Sequence, residues 1–458
     1  MSDAFRRGER RPIRILGASG QLGYGIPTPA LEAGLRRQPD FIGCDMGSTD
    51  IGPYYLGSGN MAVSREGAKR DLAKVLKAAR AIDAPLIIGS AGSAGAAPHL
   101  AQTADIVREI AAEAGLHFKL ATIAADVDRA RIIAALRAGQ VRAMDGMSEL
   151  TQEAVAGSSH LVAQMGLEMI QGALLAEADV VIAGRACDTG IFAALPILLG
   201  FPQGLSIHLA KIVECASLCC VPGGRDSILA TLHDDHFELE SMNPARAATP
   251  ASVAAHSLYE QADPFSIHEP CGRVDLSDVV YSAVDGRRTR VSGARFEPAA
   301  AQAIKLEGAR LAGERAILLC ANADPRFIER REAIFDSLET LVAELACEDC
   351  PKDYRLFVHA YGTNAVMPAN PPMALPGEIG IVIECVAPTT DRALDVLRTA
   401  KQYLLHYGYE GRLSTAGNLA FPFTPPEIGV GPAYEFSVYH LMEVDAQSDI
   451  FAISIEDV

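Results

Sequence analysis

The chain has 458 residues, 49% of them hydrophobic and 6% aromatic, with no tryptophan and a formal charge of −17. That length predicts two or three domains. The acidity argues against nucleic acid or an anionic membrane as a partner, since either needs a basic surface. No run of eighteen apolar residues occurs, so no membrane span is predicted. Ten cysteines without an apolar leader point to reduced thiols in a cytoplasm. Arg6, Arg7, Arg10 and Arg11 read as a solvated leader rather than a targeting helix.

In chain order, Ile13–Leu16 is an apolar strand that breaks into Gly17, Gly20 and Gly23, spaced three apart, before a helix over Thr28–Leu35. Asp40–Asp45 reads as a second strand ending in the polar loop Met46–Pro53. A helix is predicted over Arg70–Ile82. The strand Leu86–Ile88 runs into the loop Gly89–Gly95, and an amphipathic helix follows with Leu100, Ala104, Val107 and Ile110 on one stripe. His117–Ile123 is a strand, and Val180–Ile182 is another, ending in Ala183–Gly190. Alternating strands and helices predict a mostly parallel, doubly wound sheet for the N-terminal body. The loops after the first, second, third and Val180 strands would then meet at one sheet edge, where such folds place a ligand.

From about 205 to 300 the pattern becomes β-rich, with Ile228–Glu240 as paired short strands. A helix is expected over Arg330–Cys347, and Pro351 marks a boundary between a body over 13–350 and a C-terminal domain over 351–458. In that domain Ile379–Cys385 and Tyr434–Val438 alternate as half-buried strands do, and Thr390 is placed to cap a helix bearing Leu394, Leu397 and Leu404. Antiparallel strands around helices suggest a ferredoxin-like α+β domain.

Several clusters carry chemistry. Gly17, Gly20 and Gly23 with Asp45 at the end of the next strand fit a dinucleotide cradle. Pro27 and Pro29 interrupt the first turn of the helix such a cradle needs, and the glycines equally fit a plain tight turn. Asp45 and Asp50, with Ser48 and Thr49, would serve as acid and base or bind a divalent cation, or would form an ordinary Asx turn. Arg185 would pair with a substrate carboxylate or phosphate, and Asp188 beside Thr189 would move a proton or cap the next helix. Asp235 and His236, within His233-Asp234-Asp235-His236, would ligate a metal with Glu269 or Asp275 as a third ligand. Cys347-x-x-Cys350 and vicinal Cys219-Cys220 lack the partners a zinc site requires. No Gly-x-Ser-x-Gly elbow is present.

Taken together, Gly17–Gly25, the Gly47-Ser48-Thr49-Asp50-Ile51-Gly52-Pro53-Tyr54-Tyr55-Leu56-Gly57 loop, Gly89–Gly92, Ala183–Thr189 and Asp234–Phe237 resemble the acyclic terpene utilisation (AtuA-like) family over about Ile13–Leu441. The resemblance is to a branch whose acidic loop differs from that of the terpene-pathway members. It implies an α/β body, a ferredoxin-like C-terminal domain and a catabolic activity on carboxylic acids or acyl-CoA.

The expected function is therefore a lyase, adding or removing water or cleaving a carbon–carbon bond in a small carboxylic acid or its CoA ester. Arg185 would hold the carboxylate, and Asp45, Asp50 or Asp188 would transfer the proton. Ser19, Gly20, Gln21, Ser48, Thr49, Ser90, Ser93 and Thr189 would line the substrate. The alternatives are an NAD(P)-dependent oxidoreductase and a non-catalytic subunit of a larger enzyme. A homo-oligomer is expected, with room for a small partner subunit.

Overall fold

The computed structural model describes residues 11–144, 146–346, 352–363, 365–367, 375–412 and 416–458. The Cys347-x-x-Cys350 pair and the leader arginines 6, 7 and 10 lie outside the described residues. The chain forms two compact units, one of residues 1–310 with 436–458 and one of residues 311–435.

In the larger unit the strands and helices run β1 (Ile13–Ser19), α1 (Thr28–Leu35), β2 (Phe41–Asp45), α2 (Pro53–Ser58), α3 (Arg65–Ala81), β3 (Leu86–Gly89), α4 (Ala97–Ala114), β4 (Lys119–Ala124), α5 (Arg129–Arg137), β5 (Val141–Ala143), α6 (Gln152–Gly157), β6 (His160–Gln164), α7 (Leu167–Leu175), β7 (Val180–Ala183), α8 (Asp188–Leu198) and α9 (Gln203–Val213). They continue as β8 (Ile228–Leu232), β9 (His236–Ser241), α10 (Pro250–Ser257), β10 (Ser266–Glu269), β11 (Gly272–Asp275), β12 (Val280–Ala283), β13 (Arg288–Ser292), β14 (Arg295–Pro298) and β15 (Gln302–Asn322), whose last residues belong to the smaller unit. That unit adds α11 (Pro325–Ala346), β16 (Arg355–Tyr361), β17 (Ile379–Ala387) and α12 (Thr390–His406). The chain then returns through β18 (Glu427–Val444) to β19 (Ala452–Asp457).

Ten strands form one sheet in the order β12-β13-β9-β8-β1-β2-β3-β7-β4-β19. Its centre, β1-β2-β3-β7-β4, is parallel, and β8 and β19 join it antiparallel on either side. The parallel core follows from residues that are apolar on both faces. Ile13, Ile15, Phe41, Ile87 and Val181 pack into one cluster with α7–α9, while Leu16, Ile42, Cys44, Ile88 and Ile182 pack into another with α1, α3 and α4.

The sheet is thus mixed rather than mostly parallel beyond its centre. The stretch expected to be β-rich, an inserted or appended lobe over about 205–300, extends this sheet through β8, β9, β13 and β12, with β10-β11-β14 as a small sheet of its own. That stretch also begins with a helix, α9, where Leu205, Leu209, Ile212 and Val213 are buried. Helix α3 starts five residues before the expected Arg70, because Ser64 Oγ accepts from Gly67 N and caps it.

In the smaller unit the strand order is β16-β17-β15-β18, with α11 and α12 packed on Ala316, Leu318, Ile381 and Ile383. The cap of α12 is Thr389, whose hydroxyl accepts from Arg392 N, and not Thr390. The compact units part at Leu311 rather than at Pro351, because β15 itself pairs with β17 over Glu314–Asn322.

Candidate active site

The four parallel strands β1, β2, β3 and β7 are neighbours, so the loops that follow them converge at one edge. Leu22 N donates to Asp45 O (2.9 Å), Met46 N to Gly89 O (3.1 Å) and Ser90 N to Gly184 O (3.0 Å). The sequence expectation that Gly20, Asp45, Ser90 and Arg185 share a rim is met in the structure.

Two amides of the glycine loop are already occupied from within the protein. Gly23 N and Gly25 N, at φ of +101° and +103°, both donate to Asp71 Oδ2 (2.9 and 2.7 Å), a carboxylate with no exposed surface. The anion seated on these amides is the protein's own. A Cβ on Gly20 would lie 2.9 Å from Cys215 Cα, so this glycine is a packing contact. Helix α1 also begins behind Pro27 without a side-chain cap. These contacts occupy the Gly23 and Gly25 amides that a dinucleotide cradle would use.

The serines are likewise structural. Ser93 Oγ donates to Ser48 O (3.0 Å), and Ser90 Oγ accepts from Arg185 Nη1 (3.1 Å); both are buried and fasten loop to loop. Arg185, 2% exposed, has its donors engaged within the protein. Its Nε donates to Glu307 Oε2 (2.9 Å), its Nη2 to Glu307 Oε1 (3.4 Å), and its Nη1 to Ser90 and to Ala186 O (3.2 Å). Burial works against charge on both partners, but their attraction prevails: Arg185 is held above its usual range and Glu307, with Lys305 also beside it, is held down to about 2.

What faces the cavity is a set of carboxylates. A pocket of about 460 Å³ is lined by Ser19, Gly20, Gln21, Asp45, Ser48, Asp50, Asp188, Glu214, Cys215 and Glu260. A second pocket, about 300 Å³, shares Asp50, Asp188, Glu214 and Glu260 and adds Arg185, Thr189, Lys211, Glu269 and Lys305. Thr49 lines neither, and its buried hydroxyl has no hydrogen-bond partner among the described residues.

Asp45 accepts Gly47 N through Oδ2 (3.1 Å), while its Oδ1 is buried without a hydrogen bond among the described residues. Burial first, and then the charge of Asp188, push its carboxyl well up. Asp188 is the first residue of α8; Cys187 stands at the cap position, and no side-chain cap bond forms. Asp188 Oδ1 is also buried without a hydrogen bond, 3.8 Å from Arg185 Nη1. Burial raises Asp188 too, against the pull of Arg185 and Lys211. Asp50 is exposed and closes an Asx-type turn, with Ser48 Oγ donating to its Oδ2 (2.7 Å) and its own N–H donating to Ser48 Oγ.

Lys211 and Glu214, on and just past α9, were missed by the sequence reading. Lys211 Nζ donates to Glu214 Oε1 (2.6 Å) and to Glu260 Oε2 (3.4 Å). Burial pushes Glu214 well up despite Lys211. Thr189 Oγ1 donates to Glu269 Oε1 (2.7 Å), and burial drives Glu269 up to about 7. The spacing of Leu205, Leu209 and Ile212 is a helical signal that would have placed Lys211 and Glu214. Lys305 and Glu307, two apart in an apolar strand, mark one face in the same way.

The metal site at Asp235 and His236 does not form. Both sit at the β8–β9 hairpin, where His233 N donates to His236 O (2.8 Å), and Asp235 Oδ1 is taken by His236 Nδ1 (2.6 Å). The expected third ligands are engaged elsewhere, Glu269 with Thr189 and Asp275 with Ser277. Among the described residues no three His, Cys, Asp or Glu side chains gather as a metal site, so the residues present do not fit a resident cation. Among the described residues no helix is long and apolar enough to cross a membrane.

These features define an α/β protein with an acid-lined cavity at the carboxyl edge of a parallel sheet. The chain matches the acyclic terpene utilisation family protein AtuA over residues 13–201 and 242–422, and it belongs to that family. No curated protein and no solved structure matches it. The stretch between the two matched segments supplies Lys211, Glu214, Cys215, Leu218 and Arg225 to the cavity.

Proposed function

We propose that the protein is a lyase that works by general acid–base catalysis on a small carboxylic acid or its acyl thioester, with Asp45 and Asp188 as the proton-transferring pair. The observation that carries this is that Asp45 and Asp188 line one cavity, each with an Oδ1 buried without a hydrogen bond among the described residues and a carboxyl that burial raises above its usual range. Of two like carboxyls in such a site one tends to stay protonated, so one can accept a proton, from carbon in a dehydration or from the hydroxyl in a carbon–carbon cleavage, while the other donates to the leaving oxygen or carbon. The family's link to acyclic terpene utilisation supports a catabolic setting.

Arg225 at the pocket mouth, with one donor on Tyr24 O (2.6 Å), suits the anionic end of such a substrate. Exposed Tyr24, Ile51 and Leu218 beside it suit an apolar chain. The β16-β17-β15-β18 order, with one helix after β15 and one after β17, supports a ferredoxin-like reading of the smaller unit. A cytoplasmic homo-oligomer fits the reduced thiols and the exposed edge strand β12.

The test is exchange of the α-proton of 3-hydroxyacyl thioesters in D₂O, followed by NMR. Wild type should exchange it, and Asp45→Asn or Asp188→Asn should slow exchange by about 10²–10⁴. Exchange at the wild-type rate in both variants would end the assignment.

A further inference from the structure

The sheet of the smaller unit is apolar on both faces, but its helices cover only one. In β17, Ile379, Ile381, Ile383 and Cys385 are buried against α11 and α12, so Gly380, Val382, Glu384 and Val386 face the other way. The antiparallel register carries that second face across the neighbouring strands. Arg315, Ile317 and Leu319 of β15 stand on it, as do Arg355, Phe357, His359 and Tyr361 of β16. On β18, Glu427 reaches Lys401 of α12, which turns Ile428 and Val430 to the face away from the helices.

Phe357 is 41% exposed, Tyr361 50% and Val430 53%, with Ile317, Leu319 and Val382 half-buried among them. An antiparallel sheet with one face in water alternates apolar and polar residues. Here Ala316–Ala321 and Ile379–Ile383 carry no charged side chain on either face, which is the pattern of strands covered on both sides.

We infer that this face is an interface between two copies of the chain, packed sheet against sheet about a two-fold axis. Charge favours a second copy over a charged partner. The whole chain carries −17 and repels its own copy, but the charges described on this face balance. Arg315 Nε donates to Glu384 Oε1 (2.8 Å), Arg355 Nη1 donates to Glu435 Oε2 (2.7 Å), and His359 Nε2 stands 3.9 Å from Glu384. A strongly acidic or basic partner finds no excess charge there, whereas a two-fold axis can set the arginines of one copy against the glutamates of the other.

The size fits as well. Four strands about 4.8 Å apart, over the nine residues of β17 at about 3.4 Å each, give a footprint of about 600 Å² per copy. Two copies then cover about 1,200 Å² before pleat and side chains are counted, which reaches the range of specific interfaces. Phe357 and Tyr361 supply the aromatic anchors on which such interfaces depend.

The test is sedimentation velocity of the full chain from about 1 to about 50 µM. Wild type should run at twice the chain mass. Phe357→Glu, Tyr361→Glu and Val430→Glu, each checked for wild-type circular dichroism, should weaken the dimer by about thirtyfold or more. All three positions are already about half exposed, so a charge there leaves the folded chain intact. Val280→Asp, on the exposed edge strand β12 of the larger unit, should leave the dimer unchanged. A monomeric wild type over the whole range overturns the inference, as does a dimer that survives all three face variants. So does a dimer lost with Val280→Asp and kept with Phe357→Glu, or wild type that stays monomeric and instead co-sediments with phosphatidylcholine vesicles. None of these outcomes bears on thioester exchange, so the lyase reading stands or falls separately.

Discussion

Replacing Glu307 by Gln tests the electrostatics that hold the Arg185 loop against the sheet. Glu307 has no exposed surface and accepts from Arg185 Nε at 2.9 Å and Nη2 at 3.4 Å, with Lys305 Nζ at 2.8 Å. Burial alone would raise its carboxyl, but the two cations hold it at about 2 instead of 4.5. At about 1.4 kcal/mol per pH unit, that drop is worth about 3 kcal/mol of stability. The same size is expected for stranding one member of a buried ion pair, about 3–5 kcal/mol. Because the folded value is depressed, the contribution is fully present above about pH 4.5 and fades as pH falls toward 2. Urea unfolding at about pH 7 should therefore show Glu307→Gln less stable by about 3 kcal/mol, narrowing to less than half of that at about pH 3. A loss below about 1 kcal/mol at neutral pH, or a loss that does not narrow in acid, would refute the reasoning.

Asp71→Ala strips the acceptor from Gly23 N and Gly25 N and should lower stability by about 1–3 kcal/mol in the same assay. Wild type should leave NADH fluorescence unchanged on titration, since these amides are occupied, and saturable binding would contradict that. Gly95→Ala would place a Cβ 2.1 Å from Arg185 N at a φ of +66°, so about 3 kcal/mol or more should be lost, visible as reduced soluble yield and a lower midpoint. Glu269 sits at about 7, above its usual 4.5, so its neutral form favours folding below about pH 4.5 and that advantage is lost as pH rises through 7. Glu269→Gln should then be more stable than wild type at about pH 8 by up to about 3 kcal/mol, with the gap closing toward pH 4.5; a gap independent of pH would count against the shift.

Local pattern was enough to locate the elements that make the site's floor. Ile13–Leu16, Asp40–Asp45, Leu86–Ile88 and Val180–Ile182 are mostly apolar and reach a glycine or an aspartate at their end or within two residues of it, and each falls on a strand of the parallel centre. Asp45, at the end of β2, and Asp188, in the loop expected after the Val180 strand, do line the cavity. The side chains that fail as ligand contacts fail because their hydrogen bonds go to residues far away in sequence. Arg185 meets Glu307 and the glycine loop meets Asp71, at separations of 122 and 46–48 residues.

The sequence by itself therefore determined the doubly wound centre, the shared rim of its loops and the acids at that rim, because short apolar runs and the glycine- and aspartate-bearing loops after them are local properties. Only the tertiary structure decided which charges stay available. It seated Asp71 in the glycine loop, paired Arg185 with Glu307, brought Lys211 and Glu214 to the cavity from α9, and left one oxygen of Asp45 and one of Asp188 buried without a hydrogen bond among the described residues. Whether a buried charge is satisfied depends on partners that no local window contains.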